Sequence, residues 1–117
     1  MICVIGLGYV GLPLANAFAK RYNVVGIDIN ENRIKDLNGF NDQTLELSSD
    51  ELKRTIGSSL QIFSDINKAK NCKIFIVTVP TPVTDSKQPD LTPVINATKS
   101  VATILKKDDI IIFESTV

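Results

Sequence analysis

The chain of 117 residues has no histidine and only two cysteines, Cys3 and Cys72. Without histidine it cannot contain a Ser-His-Asp triad or a histidine proton shuttle, and a zinc site is disfavoured. The two cysteines lack the CxxC spacing of metal and redox motifs, and no secretory leader precedes Cys3. We therefore expect buried or reduced thiols rather than a disulfide or metal ligands.

The chain also lacks an excess of charge and a long apolar run. Its thirteen basic and thirteen acidic residues cancel, so there is no basic face of the kind that binds nucleic acid or an anionic membrane. No run approaches the ~20 apolar residues of a membrane span, and Met1 leads into the first apolar run without a charged leader. The sequence predicts one cytoplasmic domain over residues 1–117 that binds neither nucleic acid nor membrane.

Three of the six glycines lie in one motif, where an apolar run passes through Gly6-Leu7-Gly8-Tyr9-Val10-Gly11 into a helical pattern. In a dinucleotide-binding turn, Gly6 would make the tight turn, Gly8 would let the backbone approach a pyrophosphate, and Gly11 would let the helix pack against the sheet. The helix N-terminus would then face the anion. This order predicts a dinucleotide site; the alternative is a glycine-rich turn in an unrelated α/β protein.

An acidic residue stands where such a motif requires one. Asp28 ends the second apolar run, 20 positions after Gly8, close to the roughly 20-residue spacing of the carboxylate that hydrogen-bonds the ribose. Its oxygens can accept both ribose hydroxyls and its charge would repel a 2′-phosphate, which favours NAD over NADP. An arginine at position 33 could hold such a phosphate, but the Asp28 carboxylate at the hydroxyl position should still favour NAD. We expect Arg33 to flank the adenine or ribose, and the alternative is a solvated helix residue.

The hydrophobic pattern predicts alternating strands and helices. Unbroken apolar runs, typical of parallel strands covered on both faces, predict strands at 2–5, 24–29, 60–63, 74–79 and 110–113. Helical patterns span about 10–21 and 93–107, and two short helices are expected within 30–59. We therefore predict an α/β fold of the Rossmann type: a doubly wound, mainly parallel sheet with helices on both faces, in the order 3-2-1-4-5 and truncated after the fifth strand.

Two polar segments follow predicted strands at the carboxyl edge of this sheet. Val79-Pro80-Thr81-Pro82 comes where strands 1 and 4 diverge, the point at which such sheets bind ligands, and Thr81 could offer a hydroxyl there. The alternative is a rigid turn with a self-capping threonine. Glu114-Ser115-Thr116 leaves the last strand towards the same crevice, although any strand end has polar residues of this kind.

The combined pattern resembles the UDP-glucose/GDP-mannose dehydrogenase family. The resemblance rests on the stretch 6–15, on Asp28-Ile29-Asn30 with Arg33, on Val-Pro-Thr-Pro at 79–82, on Pro89-Asp90-Leu91 and on Glu114-Ser115-Thr116-Val117. It covers nearly the whole chain but only the N-terminal NAD-binding domain of that family. The tract 42–46 and the long loop 81–92 are more similar to the branch that acts on UDP-N-acetylhexosamines.

The resemblance implies an enzyme that oxidises the C6 hydroxyl of a UDP-sugar to a carboxylate in two NAD-dependent steps, for surface polysaccharide precursors. It implies a role for each matching residue along the cofactor. The pyrophosphate would be bound by the turn of Gly6, Gly8, Tyr9, Val10 and Gly11, the adenosine end by Asp28 and Arg33, and the part towards the nicotinamide by Pro80, Thr81 and Thr116. Thr116 would also belong to the catalytic surroundings, where it helps to position a water.

In that family the nucleophilic cysteine and the UDP-binding domain come later than residue 117, and neither Cys3 nor Cys72 matches the nucleophile. We therefore expect a piece of a longer, homodimeric enzyme that is inactive alone and prone to self-association through its last strand. Two alternatives remain. One is a free-standing NAD-binding or redox-sensing module, and the other is a different Rossmann dehydrogenase, such as a hydroxyacid or phosphogluconate enzyme.

Overall fold

A computed structural model describes residues 1–114 as a five-stranded sheet flanked by helices. In chain order the elements are β1 (Ile2–Ile5), α1 (Gly11–Ala19), β2 (Val24–Ile27), α2 (Glu31–Asn38), α3 (Ser49–Thr55), β3 (Leu60–Phe63), a 3₁₀ turn (Ile66–Ala69), β4 (Ile74–Val77), α4 (Thr92–Ala102) and β5 (Ile110–Phe113). All neighbouring strands are parallel and their order is β3-β2-β1-β4-β5. The predicted Rossmann-type fold and strand order are confirmed.

The sheet has a hydrophobic core on each face, because successive side chains of a strand point to opposite sides. On one face Cys3 and Phe75 pack with Val101 of α4. On the other face Val4 packs with Leu12 of α1, among residues of α2 and α3. The central strands are therefore covered on both sides, which explains why their sequences are unbroken apolar runs.

The predicted ends of four elements were wrong. Helix α1 stops at Ala19 rather than near residue 21. β2 and β4 stop at Ile27 and Val77, two residues early, because the chain turns there into the loops that carry Asp28 and Pro80. Helix α4 ends at Ala102 rather than near residue 107. The hydroxyl of Thr103 donates to the carbonyl of Ser100, 2.7 Å away, at the helix end. The 3₁₀ turn at Ile66–Ala69 was not predicted.

The two cysteines are free and buried, as predicted: Cys3 is 0% and Cys72 is 1% exposed. A hydrogen bond with Cys72, together with burial, raises the pKa of the Cys3 thiol. Among residues 1–114 there is no cluster of three or more His, Cys, Asp or Glu side chains that could hold a metal ion. Over the same range, no helix is long and apolar enough to cross a membrane.

Strand β5 is the more open edge of the sheet. Ile110 is 53% and Phe113 is 50% exposed, whereas alternate residues Leu60 and Ile62 of the opposite edge strand, β3, are buried. An exposed apolar edge strand is a site where another chain can pair. Self-association through β5 stays a prediction.

Candidate functional site

A cleft of about 960 Å³ opens at the carboxyl ends of the strands. Residues 5–10, 27–30, 64–66, 78–80, Asp90 and Glu114 line it, together with Arg33 on α2 and the first turns of α4. The cleft lies where the sheet order reverses between β1 and β4, the usual ligand position in an open α/β sheet. Of the described residues predicted to bind a cofactor, Gly11 and Thr81 are not in its lining. Thr116 lies outside the described residues.

Each glycine of the turn meets a different environment. Gly6 has φ +92°, and a Cβ there would lie 2.9 Å from the Val79 nitrogen. A Cβ on Gly11 would lie 1.7 Å from the Gly6 carbonyl oxygen, so α1 can start this close to β1 only without one. A Cβ on Gly8 would meet no protein atom within 4 Å. The space over Gly8 is therefore open to a ligand in the cleft.

Thr78, which was not predicted as a site residue, fixes this turn through the carbonyl groups of Ile5 and Gly6. The residue is 8% exposed, and its hydroxyl lies 2.6 Å from the carbonyl oxygen of Gly6 and 3.0 Å from that of Ile5. A Cβ on Gly11 would also lie only 2.3 Å from this hydroxyl. One signal could have pointed to Thr78: a hydroxyl residue directly after the apolar run of β4.

The peptide groups of Leu7, in the middle of the turn, are held by two charged side chains. The Leu7 N–H donates to Asp28 Oδ2 over 2.9 Å, and the Leu7 carbonyl accepts from Arg33 Nε over 2.8 Å. Asp28 Oδ1 accepts a second backbone bond, from the Asn30 N–H, also at 2.9 Å. Since a carboxylate has about four lone-pair sites, Asp28 retains acceptors for two hydroxyl groups.

Arg33 is paired within the protein. Its Nη1 lies 2.9 Å from Asp42 Oδ1, and its Nη2 lies 3.5 Å from the Thr44 hydroxyl. The Arg33 side chain is only 10% exposed. It lines the cleft, but its guanidinium is already committed to Leu7 and Asp42 instead of being free in solvent.

Asp42 is buried and organises the loop before α3. Besides Arg33, it accepts hydrogen bonds from the N–H and hydroxyl of Thr44 and from the N–H groups of Glu46 and Leu47. Burial alone would raise its pKa, but these bonds outweigh burial and lower the pKa to about 2. Asp42 is therefore ionised at neutral pH.

The start of α1 has no capping group of its own. Its N-cap residue is Val10, no side chain caps the helix, and the first turn has no acidic residue. Tyr9 and Val10, exposed by 69% and 46%, line the cleft beside this helix end. A positive helix end, an open position at Gly8 and the spare acceptors of Asp28 fit a pyrophosphate and an adjoining ribose.

The whole chain, residues 1–117, matches the UDP-glucose/GDP-mannose dehydrogenase family, NAD binding domain. The chain belongs to this family. A UDP-N-acetyl-D-glucosamine 6-dehydrogenase of Pseudomonas aeruginosa is 51% identical to it over 116 residues, which are 99% of the chain. The solved structure of UDP-D-ManNAc dehydrogenase from Pyrococcus horikoshii has a TM-score of 0.93 and 33% identity, over 100% of this chain and 29% of that one.

The family assignment confirms NAD as the cofactor of this domain. The similar relatives confirm the predicted resemblance to the branch of UDP-N-acetylhexosamine dehydrogenases. A second example is a UDP-N-acetyl-D-mannosamine dehydrogenase of Yersinia pestis, 39% identical over 118 residues and 98% of this chain. The domain spans 27% of the length of these curated relatives.

Proposed function

We propose that residues 1–117 form one domain, the NAD-binding domain of a longer enzyme that oxidises the C6 hydroxyl of a UDP-N-acetylhexosamine to a carboxylate in two NAD-dependent steps. The observation that carries the proposal is the uncapped start of α1 behind an open Gly8, with Asp28 beside it, in a chain of this family. The names of two relatives support the substrate class. We further propose that the parent enzyme is a cytoplasmic homodimer that supplies surface polysaccharide precursors.

In this proposal the glycine turn holds the pyrophosphate. Gly6 and Gly11 allow the turn to form, Gly8 leaves room for the phosphates, and Tyr9 and Val10 supply the backbone at the helix end. This part of the site needs no side-chain cation, because backbone N–H groups and the helix dipole provide the positive potential.

The remaining contacts run along the dinucleotide in both directions. Asp28 receives the adenosine ribose hydroxyls, and Arg33 supports the turn at this end through the Leu7 carbonyl. Pro80 and Thr81 continue towards the nicotinamide, where Thr116 would help to position a water.

The chemistry that NAD supplies when bound is acceptance of a hydride. The residues of this domain orient it and keep the reacting end at the carboxyl edge of the sheet. Positioning of this kind accounts for roughly 7–11 kcal/mol of a barrier in favourable cases. Cys3 and Cys72 cannot trap an aldehyde, because both are buried in the core on one sheet face. The nucleophile must come from another part of the parent enzyme.

Calorimetric titration of the 117-residue chain with NAD and NADP tests the cofactor site. We expect NAD to bind more tightly, because Asp28 occupies the place of a 2′-phosphate. Equal or tighter binding of NADP would contradict the role of Asp28, and absence of binding by either would contradict the site.

NADH absorbance in the presence of UDP-N-acetylhexosamines tests whether this domain needs the rest of the parent enzyme for catalysis. The chain alone should form no NADH, whereas a longer parent protein should oxidise the sugar twice. Turnover by the isolated chain, or a parent that stops at the aldehyde, would show that the proposed mechanism is wrong.

A further inference from the structure

The ion pair of Arg33 and Asp42 lies next to the position proposed for the ribose hydroxyls. Leu7 links the two places, since its N–H donates to Asp28 and its carbonyl accepts from Arg33. The backbone of a single residue therefore separates the Arg33 guanidinium from the carboxylate that would meet the ribose. If the ribose binds at Asp28 as proposed, a phosphate on its 2′ position would enter the same region as the Arg33 guanidinium.

Arg33 is the sole cationic side chain among the described residues that line the cleft. The same lining contains four carboxylates, from Asp28, Asp65, Asp90 and Glu114. A 2′-phosphate in this cleft would thus depend on Arg33 for any favourable charge contact. Whether Arg33 can provide it decides how strongly NADP is rejected.

Arg33 is already engaged by Asp42 and Leu7. The guanidinium uses Nε for the Leu7 carbonyl and Nη1 for Asp42, and its side chain is 10% exposed. Asp42 itself accepts hydrogen bonds from Thr44, Glu46 and Leu47, so releasing Arg33 would also break these bonds. With Arg33 neutralised, the uncompensated charge beside the ribose is that of Asp28.

We propose that Asp42 determines cofactor selectivity by pairing with Arg33 and so withholding the cleft's cation from a 2′-phosphate. Asp42 does not touch the dinucleotide in this scheme; it acts through Arg33 as a positioning residue. The inference rests on the proposed function, because it requires a dinucleotide bound with its ribose at Asp28.

The test compares NAD and NADP affinities of the chain by calorimetry. Asp42→Asn removes the charge with little change of shape, and we expect the ratio of NAD to NADP affinity to narrow by about tenfold as Arg33 becomes available to the phosphate. Glu46→Gln is the matched control, since Glu46 is an exposed acid in the same loop that does not contact Arg33 through its side chain. Its ratio should stay within about twofold of the wild type.

The second pair of variants works from Arg33. Arg33→Gln should increase the ratio of NAD to NADP affinity by about tenfold. The Asp42 carboxylate then has no cationic partner and adds negative charge near a 2′-phosphate. The double variant Arg33→Gln/Asp42→Asn should return the ratio to within about twofold of the wild type, since the net charge at the site is again that of Asp28. If Asp42→Asn alone does not fold, the comparison of Arg33→Gln with the double variant tests the proposal instead.

Two outcomes overturn the inference. One is an unchanged ratio in Asp42→Asn, and the other is a double variant that matches Arg33→Gln, which would mean that Arg33 acts without regard to Asp42. Failure of the proposed function looks different, because the wild-type chain would then bind neither dinucleotide or would not prefer NAD.

Discussion

Two helices on the same face of the sheet begin in opposite ways. Ser48, the N-cap of α3, has extended backbone angles (φ −76°, ψ 162°), and its hydroxyl and the Glu51 carboxylate form a reciprocal capping box. Val10, the N-cap of α1, has φ −98° and ψ −48°, in the helical region, and has no capping side chain. A side chain caps well only from extended backbone. The protein therefore provides no side-chain cap for the start of α1.

The surroundings reinforce the contrast. Before α3, consecutive N–H groups from Thr44 to Ser48 donate to Asp42 or Glu51, so the segment satisfies itself. Before α1, Thr78 and Arg33 hold the turn through the carbonyl groups of Gly6 and Leu7, and the turn lines the cleft. The start of α3 is thus a folding element, whereas we propose that the start of α1 is a binding element that an anion completes.

Gly11→Ala should have the largest effect of these substitutions on the stability and NAD affinity of the domain. Its Cβ would lie 1.7 Å from the Gly6 carbonyl oxygen and 2.3 Å from the Thr78 hydroxyl, so the turn and α1 must move apart. We expect a loss of stability of about 3 kcal/mol and NAD binding below detection. Urea unfolding and calorimetry measure the two quantities.

Gly8→Ala is the matched control, because its Cβ would meet no protein atom within 4 Å. Its stability should stay within about 0.5 kcal/mol of the wild type, yet NAD should bind more weakly as the methyl group enters the phosphate space. Wild-type NAD affinity in Gly8→Ala would contradict the proposed position of the pyrophosphate.

Asp28→Ala should weaken NAD binding by roughly 1.5–3 kcal/mol, the value of a hydrogen bond to a charged group, and should narrow the preference over NADP. It also leaves the buried N–H of Leu7 without its acceptor. Asp28→Asn keeps an amide oxygen that can accept from Leu7 but loses the charge and the bond from the Asn30 N–H. Its difference from Asp28→Ala therefore measures the contribution of the Leu7 bond. Calorimetry on both variants checks this, and undiminished NAD affinity in either would remove Asp28 from the ribose site.

Much of this architecture could be predicted from the sequence because its signals are local. Five apolar runs gave the strands and their alternation with helices gave the order. The spacing from Gly8 to Asp28 indicated the site. Each of these patterns lies within one element or one βαβ unit.

The missed features depend on contacts between distant residues. Thr78 and Gly6 are 72 positions apart, so a hydroxyl residue after the β4 run marks a polar position but does not indicate which carbonyl groups it contacts. Asp42 could be read as part of a tract typical of a family branch, but its pairing with Arg33 depends on how the loop after α2 folds back. The ends of β2, β4 and α4 were misjudged because apolar character continues past the point where the chain turns.

Acid should destabilise the segment 42–48, because protonation of Asp42 weakens the hydrogen bonds that its carboxylate accepts. The folded pKa is about 2, below the unfolded value of about 3.9, so its stabilisation is complete above that unfolded value. It is lost as the pH falls from about 4 to about 2, and amounts to roughly 2–3 kcal/mol. Urea unfolding of the wild type and Asp42→Asn across this range should show the two stabilities converging at the acid end. A constant gap would mean that Asp42 is not the titrating group.

Ser48→Ala should have the smallest effect and completes the comparison. It removes the hydroxyl that accepts from the Glu51 N–H, and loss of an N-cap costs about 1 kcal/mol. Because α3 is a folding element in this scheme, urea unfolding should detect that loss while the calorimetric NAD affinity stays within about twofold of the wild type. The loop that Asp42 organises ends at Ser48. Asp42 contacts Arg33, which in turn contacts the glycine turn through the Leu7 carbonyl. A larger fall in NAD affinity would therefore show that the two helix starts are coupled along that path.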